Sequence, residues 1–423
     1  MFNFLFTKTP LAFLIQSLWR DEGFSYFLAK KNLWDIVVLS AKDFSPPLYH
    51  FLLHFWIDIF GSSEIAIRSL SVAFYWATVY AVSHYLTDIF KMRLKKALFY
   101  TLLLAVNPLL IYYAFEARMY TMFAFFSVLS FYFLHRKKTK LYLISSILGL
   151  YTHYFMIFVL VGQYFLFRFK QKTVLLTFIP WLILVFINKG FSVDSFWIQR
   201  FPISSLVSFV GLIYTGYERE FQFYGKTILP LSLAIWLLII YGYLYLKRNK
   251  PSEIKLFKYL FIWGVMIPFF VILVSFVKPI FLPRYLIFAN IGLTLLLILI
   301  IDKLPVFLKI FVIVSIFAVT LNYHKLQING RKKANLKKTF KELKATAKND
   351  DVLYVTSELD FFTAQYYWSE NKVYIWGKSY KEIPNYVGKT LISKDRIASM
   401  LPVYPRRAFI LTPDGRYTIK ALF

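Results

Sequence analysis

Apolar runs of membrane-spanning length recur along this chain, and they restrict it to folds that use lipid as part of their solvent. A transmembrane helix needs about 20 consecutive, mostly apolar residues. Such runs lie near 64–90, 97–114, 117–134, 172–188, 227–246, 256–277, 285–301 and 305–322. The stretch 140–169 is too long for one upright span and divides near Tyr151-Thr152-His153 into two short ones. Residues 2–18 are a candidate for an additional first span, interrupted by Lys8 and Pro10. The expected fold is mainly α and polytopic, with about 10–11 spans. Composition agrees: 58% of residues are hydrophobic, against roughly 45–50% in a soluble domain. The 47 Phe and 31 Tyr exceed what a water-soluble core can bury. The first residues carry neither a basic n-region nor a small-residue cleavage site, so no cleavable signal peptide is expected.

The charge balance is 50 Lys and Arg against 22 Asp and Glu, a formal +28. On a soluble protein that surplus would point to nucleic acid. Here the cations fall in short clusters between apolar runs and in the tail, which points to membrane topology and lipid headgroups instead. No nucleic-acid partner is expected. The clusters are Lys91/Arg93/Lys95/Lys96, Arg136/Lys137/Lys138/Lys140, Arg168/Lys170/Lys172, Lys247/Arg248/Lys250/Lys255/Lys258 and Lys303. With the spans above they all fall on one side, which the positive-inside rule makes cytoplasmic. The outer side of the cell membrane then receives residues 19–63, the turn around Glu116, the loop 189–226, the turn 278–284 and everything after 322. Residues 204–216 are apolar but short, and are read as interfacial or re-entrant. Cysteine is absent, which excludes disulfides and thiolate metal sites.

Two regions follow: a membrane domain over 1–322 and a different tail over 325–423. The tail opens with the basic helical stretch RKKANLKKTFKELKATAK. DDVLYVTS then reads as a strand, FFTAQYYW as a helix, KVYIWG as a strand and RRAFILTP as a third strand. This alternation predicts a small α/β domain outside the cell. Asp350-Asp351 read as a loop before the first strand.

The first outer loop, 19–63, concentrates chemistry-bearing residues. Asp21 and Glu22 are adjacent acids at a membrane boundary, where a carboxylate is hydrated or functional. The plain alternative is a pair of helix-start charges favoured by the dipole. Asp43 precedes Pro46-Pro47, which bar helix before them and start one at Leu48. The run LYHFLLHFWIDIF is too short to span and is expected along the interface, with Tyr49 and Trp56 as anchors. His50 and His54 share a helix face; packing explains them better than a metal pair, since no third ligand is nearby. Further on, Glu116 and Arg118 stand between two spans at their outer ends, where an ion pair is the plain reading. His153 stands at an outer turn, where a packed helix end is the plain reading. Arg284, followed by Tyr285, lies at an outer helix boundary, and its planar fork suits a phosphate or a lipid headgroup.

Five segments taken in order resemble one family. They are WRDEGFSYFLA, DFSPPLYHFLLHFWIDIFGSSEIAIRSLS, NPLLIYYAFEARMYTMFAF, LGLYTHYF and FLPRYLIF, spanning about residues 15–300. They resemble the protein O-mannosyltransferase-like family, in a superfamily that includes the lipid A aminoarabinose transferases, all membrane glycosyltransferases of the GT-C fold. The resemblance implies inverting transfer from a polyprenyl-monophosphate sugar donor to an acceptor that is a glycan, lipid or protein. It implies Asp21 as base, Glu116 as a sugar contact and Arg284 as the phosphate contact. The candidate site taken together is Asp21 and Glu22 for catalysis, with Asp43, Tyr49, Glu116, Arg118, His153, Arg284 and Tyr285 for substrate binding. The chain departs from the pattern at Ser45, where many members carry His before the paired prolines. No cofactor is required by this scheme, and no DxD-type divalent-metal motif stands in the outer loops. A transporter is the main alternative class, but transporters place charges at the bilayer midplane and often show internal symmetry. Here the notable charges cluster at outer boundaries, and no half-to-half repeat is visible. A non-catalytic scaffold and a polymerase or ligase using diphosphate-linked lipids complete the alternatives.

Overall fold

The computed structural model of the protein describes residues 2–167, 171–188, 197–218 and 225–423. Its helices begin with α1 (Phe2–Lys8), α2 (Ala12–Ile15), α3 (Arg20–Ala29), α4 (Leu33–Lys42), α5 (Leu48–Phe60), α6 (Glu64–Asp88) and α7 (Leu94–Ala105). They continue with α8 (Pro108–Ala114), α9 (Tyr120–His135), α10 (Thr139–Thr152), α11 (Met156–Phe167), α12 (Gln171–Ile187) and α13 (Phe209–Thr215). After these come α14 (Gly225–Asn249), α15 (Ile254–Phe261), α16 (Ile267–Val277), α17 (Ile287–Lys303), α18 (Val306–Gly330), α19 (Leu336–Thr346) and α20 (Phe361–Tyr367). The strands are β1 (Val352–Val355), β2 (Val373–Trp376), β3 (Ile397–Ala398), β4 (Ala408–Leu411) and β5 (Tyr417–Lys420). Arg168 and Lys170, and residues 189–196 and 219–224 of the outer loop, lie outside the described residues.

Among the described residues, five helical stretches are long and apolar enough to cross a membrane: Glu64–Asp88, Lys226–Asn249, Pro251–Val277, Pro283–Lys303 and Val306–Gly330. A sixth is counted if α7 and α8, bent by 73° at their junction, form one broken span. The run 97–114 is thus two helices. Shorter apolar helices lie at Tyr120–His135, Met156–Leu166 and Lys172–Ile187. Residues 2–18 form no single helix, because the chain breaks between α1 and α2 around Pro10.

The chain forms two compact units. The first comprises Met1–Phe13, Arg68–Pro180 and Ile198–Arg331; the second comprises Leu14–Ile67, Trp181–Trp197 and Lys332–Phe423. The first outer loop therefore groups with the tail.

In the first unit α17 is the central helix. An apolar 18-residue window of Pro283–Lys303 is 94% buried within the protein, whereas the corresponding window of Val306–Gly330 is only 11% buried. The second helix turns Phe307, Ile310, Phe311 and Val314 outward, an apolar face of the kind a membrane helix presents to lipid. A π-turn at Ile262–Met266 packs against α17 where two glycines meet. A Cβ on Gly264 would lie 2.3 Å from the Leu293 nitrogen, and one on Gly292 would lie 2.6 Å from the Trp263 ring. Small residues let apolar helices approach this closely. Trp263 in turn stacks on Phe131 of α9 at 3.9 Å. Gly264→Val is expected to destabilise the protein in detergent by at least about 1–3 kcal/mol, the usual range for overpacking. A melting temperature equal to that of the wild type would contradict this packing.

Among the described residues, members of four of the five basic clusters gather at one end of this unit. Lys96 pairs with Asp302 at 2.5 Å, Lys303 with Glu253 at 3.0 Å and Arg136 with Asp88 at 2.7 Å. His135 meets Tyr259, over which Lys255 lies. Since α17 has 17 residues, its other end is about 25 Å away. Residues 204–216 contain only a short 3-10 turn and the seven-residue α13, too short to cross, as expected.

In the second unit the tail forms a five-stranded sheet of order β3-β2-β1-β4-β5, parallel except for β4 with β5. The three strands expected from sequence are β1, β2 and β4. The two missed are the two-residue β3 in a polar stretch and the largely exposed edge strand β5. Asp351 precedes β1 and is clamped by Arg407 at 2.6 Å.

Candidate functional site

The site in the first unit begins with a helix break. Asn107 caps α8, its side-chain oxygen accepting the amides of Leu109 (3.0 Å) and Leu110 (3.3 Å), and Pro108 takes the first helical position. Breaking a helix in an apolar setting strands backbone carbonyls, which must find donors within the protein. His324 Nε2 donates to Val106 O at 2.7 Å, and Gln327 Nε2 donates to Pro108 O at 3.4 Å. Both donors are buried residues in the last third of α18, so the outward-facing helix is polar where it meets the break.

The end of α13 is held the same way. Asn290 donates to Ile213 O (2.8 Å) and Tyr214 O (3.0 Å), and Asn107 donates to Tyr214 O (3.2 Å). Gln327 donates to Thr215 O (3.4 Å) and Arg331 to Gly216 O (2.6 Å). Gly216 closes the helix with φ +68° while lying against Leu109, a conformation and a contact that suit only glycine. The chain leaving this cradle presents Glu218. Its carboxylate accepts from the Tyr113 hydroxyl at 2.9 Å and lies 3.7 Å from Arg284 Nε.

Around this pair the described residues form a cationic and aromatic cluster. Tyr113 meets Tyr120 at 4.8 Å, and the Arg118 guanidinium lies over the Tyr120 ring at 5.8 Å. His153 stacks on Phe123 at 4.9 Å and meets Tyr285 at 5.1 Å. Its Nδ1 accepts the Phe155 amide at 3.2 Å, which leaves the proton of a neutral ring on Nε2. Glu116 is buried, within electrostatic reach of Tyr113 together with Glu218, Arg284 and Arg331. The first unit thus gathers Arg118, His153, Arg284 and Tyr285 at the starts of α9 and α17, the end opposite the basic clusters. Such a site offers fixed cations for an anion and aromatic faces for an apolar or sugar group.

In the second unit Asp21 and Glu22 open α3, the helix-start position of the plain reading. They are not equivalent. Glu22 is wholly buried; it accepts the Trp19 amide at 2.7 Å and pairs with Lys333 at 2.8 Å. Asp21 is partly exposed. Neighbouring Arg20 is tied to Asp360 at 3.0 Å. Asp43 ends α4, its amide bonded to Leu39 O. The helix α5 starts at Leu48 behind Pro46-Pro47 and has 13 residues, as expected. Tyr49, expected as an interfacial anchor, is instead buried at 1% exposure beside His50. His54 donates to Ala29 O at 2.7 Å, and its other nitrogen lies 4.0 Å from Asp58.

Sequence reasoning missed Glu218, Tyr113 and Tyr120. One local signal was available: Glu218 is a carboxylate two residues after the glycine that ends an apolar helix.

The chain is similar in fold to ArnT from Cupriavidus metallidurans, a lipid A aminoarabinose transferase of the GT-C type. Against the apo crystal structure the TM-score is 0.65 at 13% identity, covering 95% of this chain and 90% of that one. Against the structure bound to undecaprenyl phosphate it is 0.61 at 14% identity, covering 97% and 93%. The GT-C fold implied by the sequence resemblance is therefore the fold of this protein. No family model and no curated protein matches the chain.

Proposed function

We propose that this protein is a membrane glycosyltransferase that moves a sugar from a polyprenyl-monophosphate carrier to an acceptor at the outer membrane face, with inversion. The observation that carries this reading is the likeness in fold, over nearly the whole of both chains, to an ArnT structure holding undecaprenyl phosphate. The cluster around Arg284 supports it chemically. Arginine binds phosphate through a planar fork of donors, and a fixed cation stabilises the charge that develops on a departing phosphate. We assign the phosphate contact to Arg284, with Arg118 as a second cation of the same cluster. Tyr285, His153 and Glu116 are assigned to the sugar, and Asp21 is the base that takes the proton of the acceptor hydroxyl. Asp43, Tyr49 and Glu22 shape the segment that carries Asp21.

A panel of polyprenyl-phosphate hexoses and pentoses, offered to proteoliposomes with a cell-envelope extract as acceptor, tests the reaction class. At least one is expected to release free polyprenyl phosphate. Turnover of the diphosphate-linked lipids alone would identify a polymerase or ligase instead. Topology is tested separately in this cysteine-free chain. Cysteines placed at Ser252 and Ser399, both exposed, are expected to label oppositely with an impermeant thiol reagent, Ser399 from outside. Equal labelling from outside would reject the outer placement of the tail.

A further inference from the structure

Arg284, assigned to the lipid phosphate, lies beside a carboxylate in this structure. The side chains of Arg284 and Glu218 are 16% and 8% exposed, and the two lie 3.7 Å apart. A buried ion pair is a weak source of stability, because desolvating both charges offsets most of their attraction. Yet buried donors from Asn107, Asn290, Gln327 and Arg331 all serve the carbonyls of residues 213–216, just before Glu218. The Tyr113 hydroxyl then fixes the carboxylate itself. This much preorganisation of a charge that contributes little to folding points to a role in the site.

The proposed reaction supplies that role. A polyprenyl-phosphate sugar is a phosphodiester and carries one negative charge. In transfer, the bond from the sugar C1 to the phosphate oxygen breaks and its electron pair stays on that oxygen. A bond from C1 to the acceptor oxygen forms, and the acceptor proton goes to the base. The carrier left behind is a phosphate monoester, with about −1.5 to −2 charges near neutral pH. An arginine cluster acting alone would therefore hold the product more tightly than the substrate.

We propose that Glu218 is a built-in counter-ion for Arg284, which offsets the Arg284 charge in the resting site and weakens retention of the product lipid phosphate. This rests on the donor reading above. Glu218 acts through Arg284 and is a positioning residue.

The test measures equilibrium binding of two probes, undecaprenyl phosphate and its methyl ester, to purified full-length protein. In the wild type the two should bind within threefold of each other. In Glu218→Gln, which keeps an oxygen for Tyr113, undecaprenyl phosphate should tighten at least tenfold and the methyl ester clearly less. Unchanged or weaker binding of undecaprenyl phosphate to the variant overturns the proposal. If the variant does not fold, the wild type decides alone: a preference for undecaprenyl phosphate beyond threefold overturns the counter-ion role. Failure of the wild type to bind either probe would instead remove the lipid-phosphate reading, and this inference with it.

Discussion

Asp21→Asn is expected to lower sugar transfer by about 10²–10⁴, the usual worth of a general base, while expression and donor binding stay near the wild type. Asparagine keeps the shape of aspartate and its place in the first turn of α3, but it cannot take a proton at neutral pH. The structure separates this acid from its neighbour. Glu22 is buried against Lys333 and the Trp19 amide. Glu22→Gln therefore leaves Lys333 facing a neutral group, and removing one partner of a buried pair costs about 3–5 kcal/mol. Its signature should be loss of folded protein in a detergent melt. Asp21→Asn should leave the melt unchanged and lose turnover. A rate loss below tenfold for Asp21→Asn, with a confirmed donor and acceptor, contradicts the assignment.

Arg284→Ala is expected to weaken binding of the lipid phosphate by roughly 10–150-fold. That corresponds to about 1.5–3 kcal/mol for hydrogen bonds to a charged group. The variant also leaves Glu218 without its cation, although Tyr113 still donates to it, so an acidic charge would then face the phosphate. Arg284→Lys keeps the charge but loses the planar fork and should rescue only part of the loss. Binding by microscale thermophoresis and a melting curve on the same samples separate affinity from folding. If both variants bind undecaprenyl phosphate as the wild type does, Arg284 is only a headgroup anchor.

How much of this was legible in the sequence varied with the range of the interactions involved. The helix α5 is local: two prolines and an apolar run of 13 residues set its start and length. The central strands β1, β2 and β4 are equally local, being short apolar runs. The one-sided basic clusters are also readable, and they meet in space through Lys96, Asp302, Lys303 and Glu253. The break at Asn107-Pro108 hides in a run that scores as one span. What makes it stable is a histidine 218 positions away in the chain. Glu218 hides for the same reason, because its hydroxyl partner is 105 positions away. Tyr49 was misread because an aromatic next to paired prolines looks the same whether its ring meets lipid headgroups or protein. The family resemblance favoured Asp21 over Glu22, but the burial that sets the two acids apart was not legible in the sequence, since Lys333 lies 311 positions from Glu22.

The most direct test of the donor site is a density map of the protein with undecaprenyl phosphate. The account predicts phosphate density against the Arg284 guanidinium, at the end of the first unit that carries His153 and Tyr285. A phosphate bound only at the opposite end, among Lys96, Lys255 and Lys303, would contradict it.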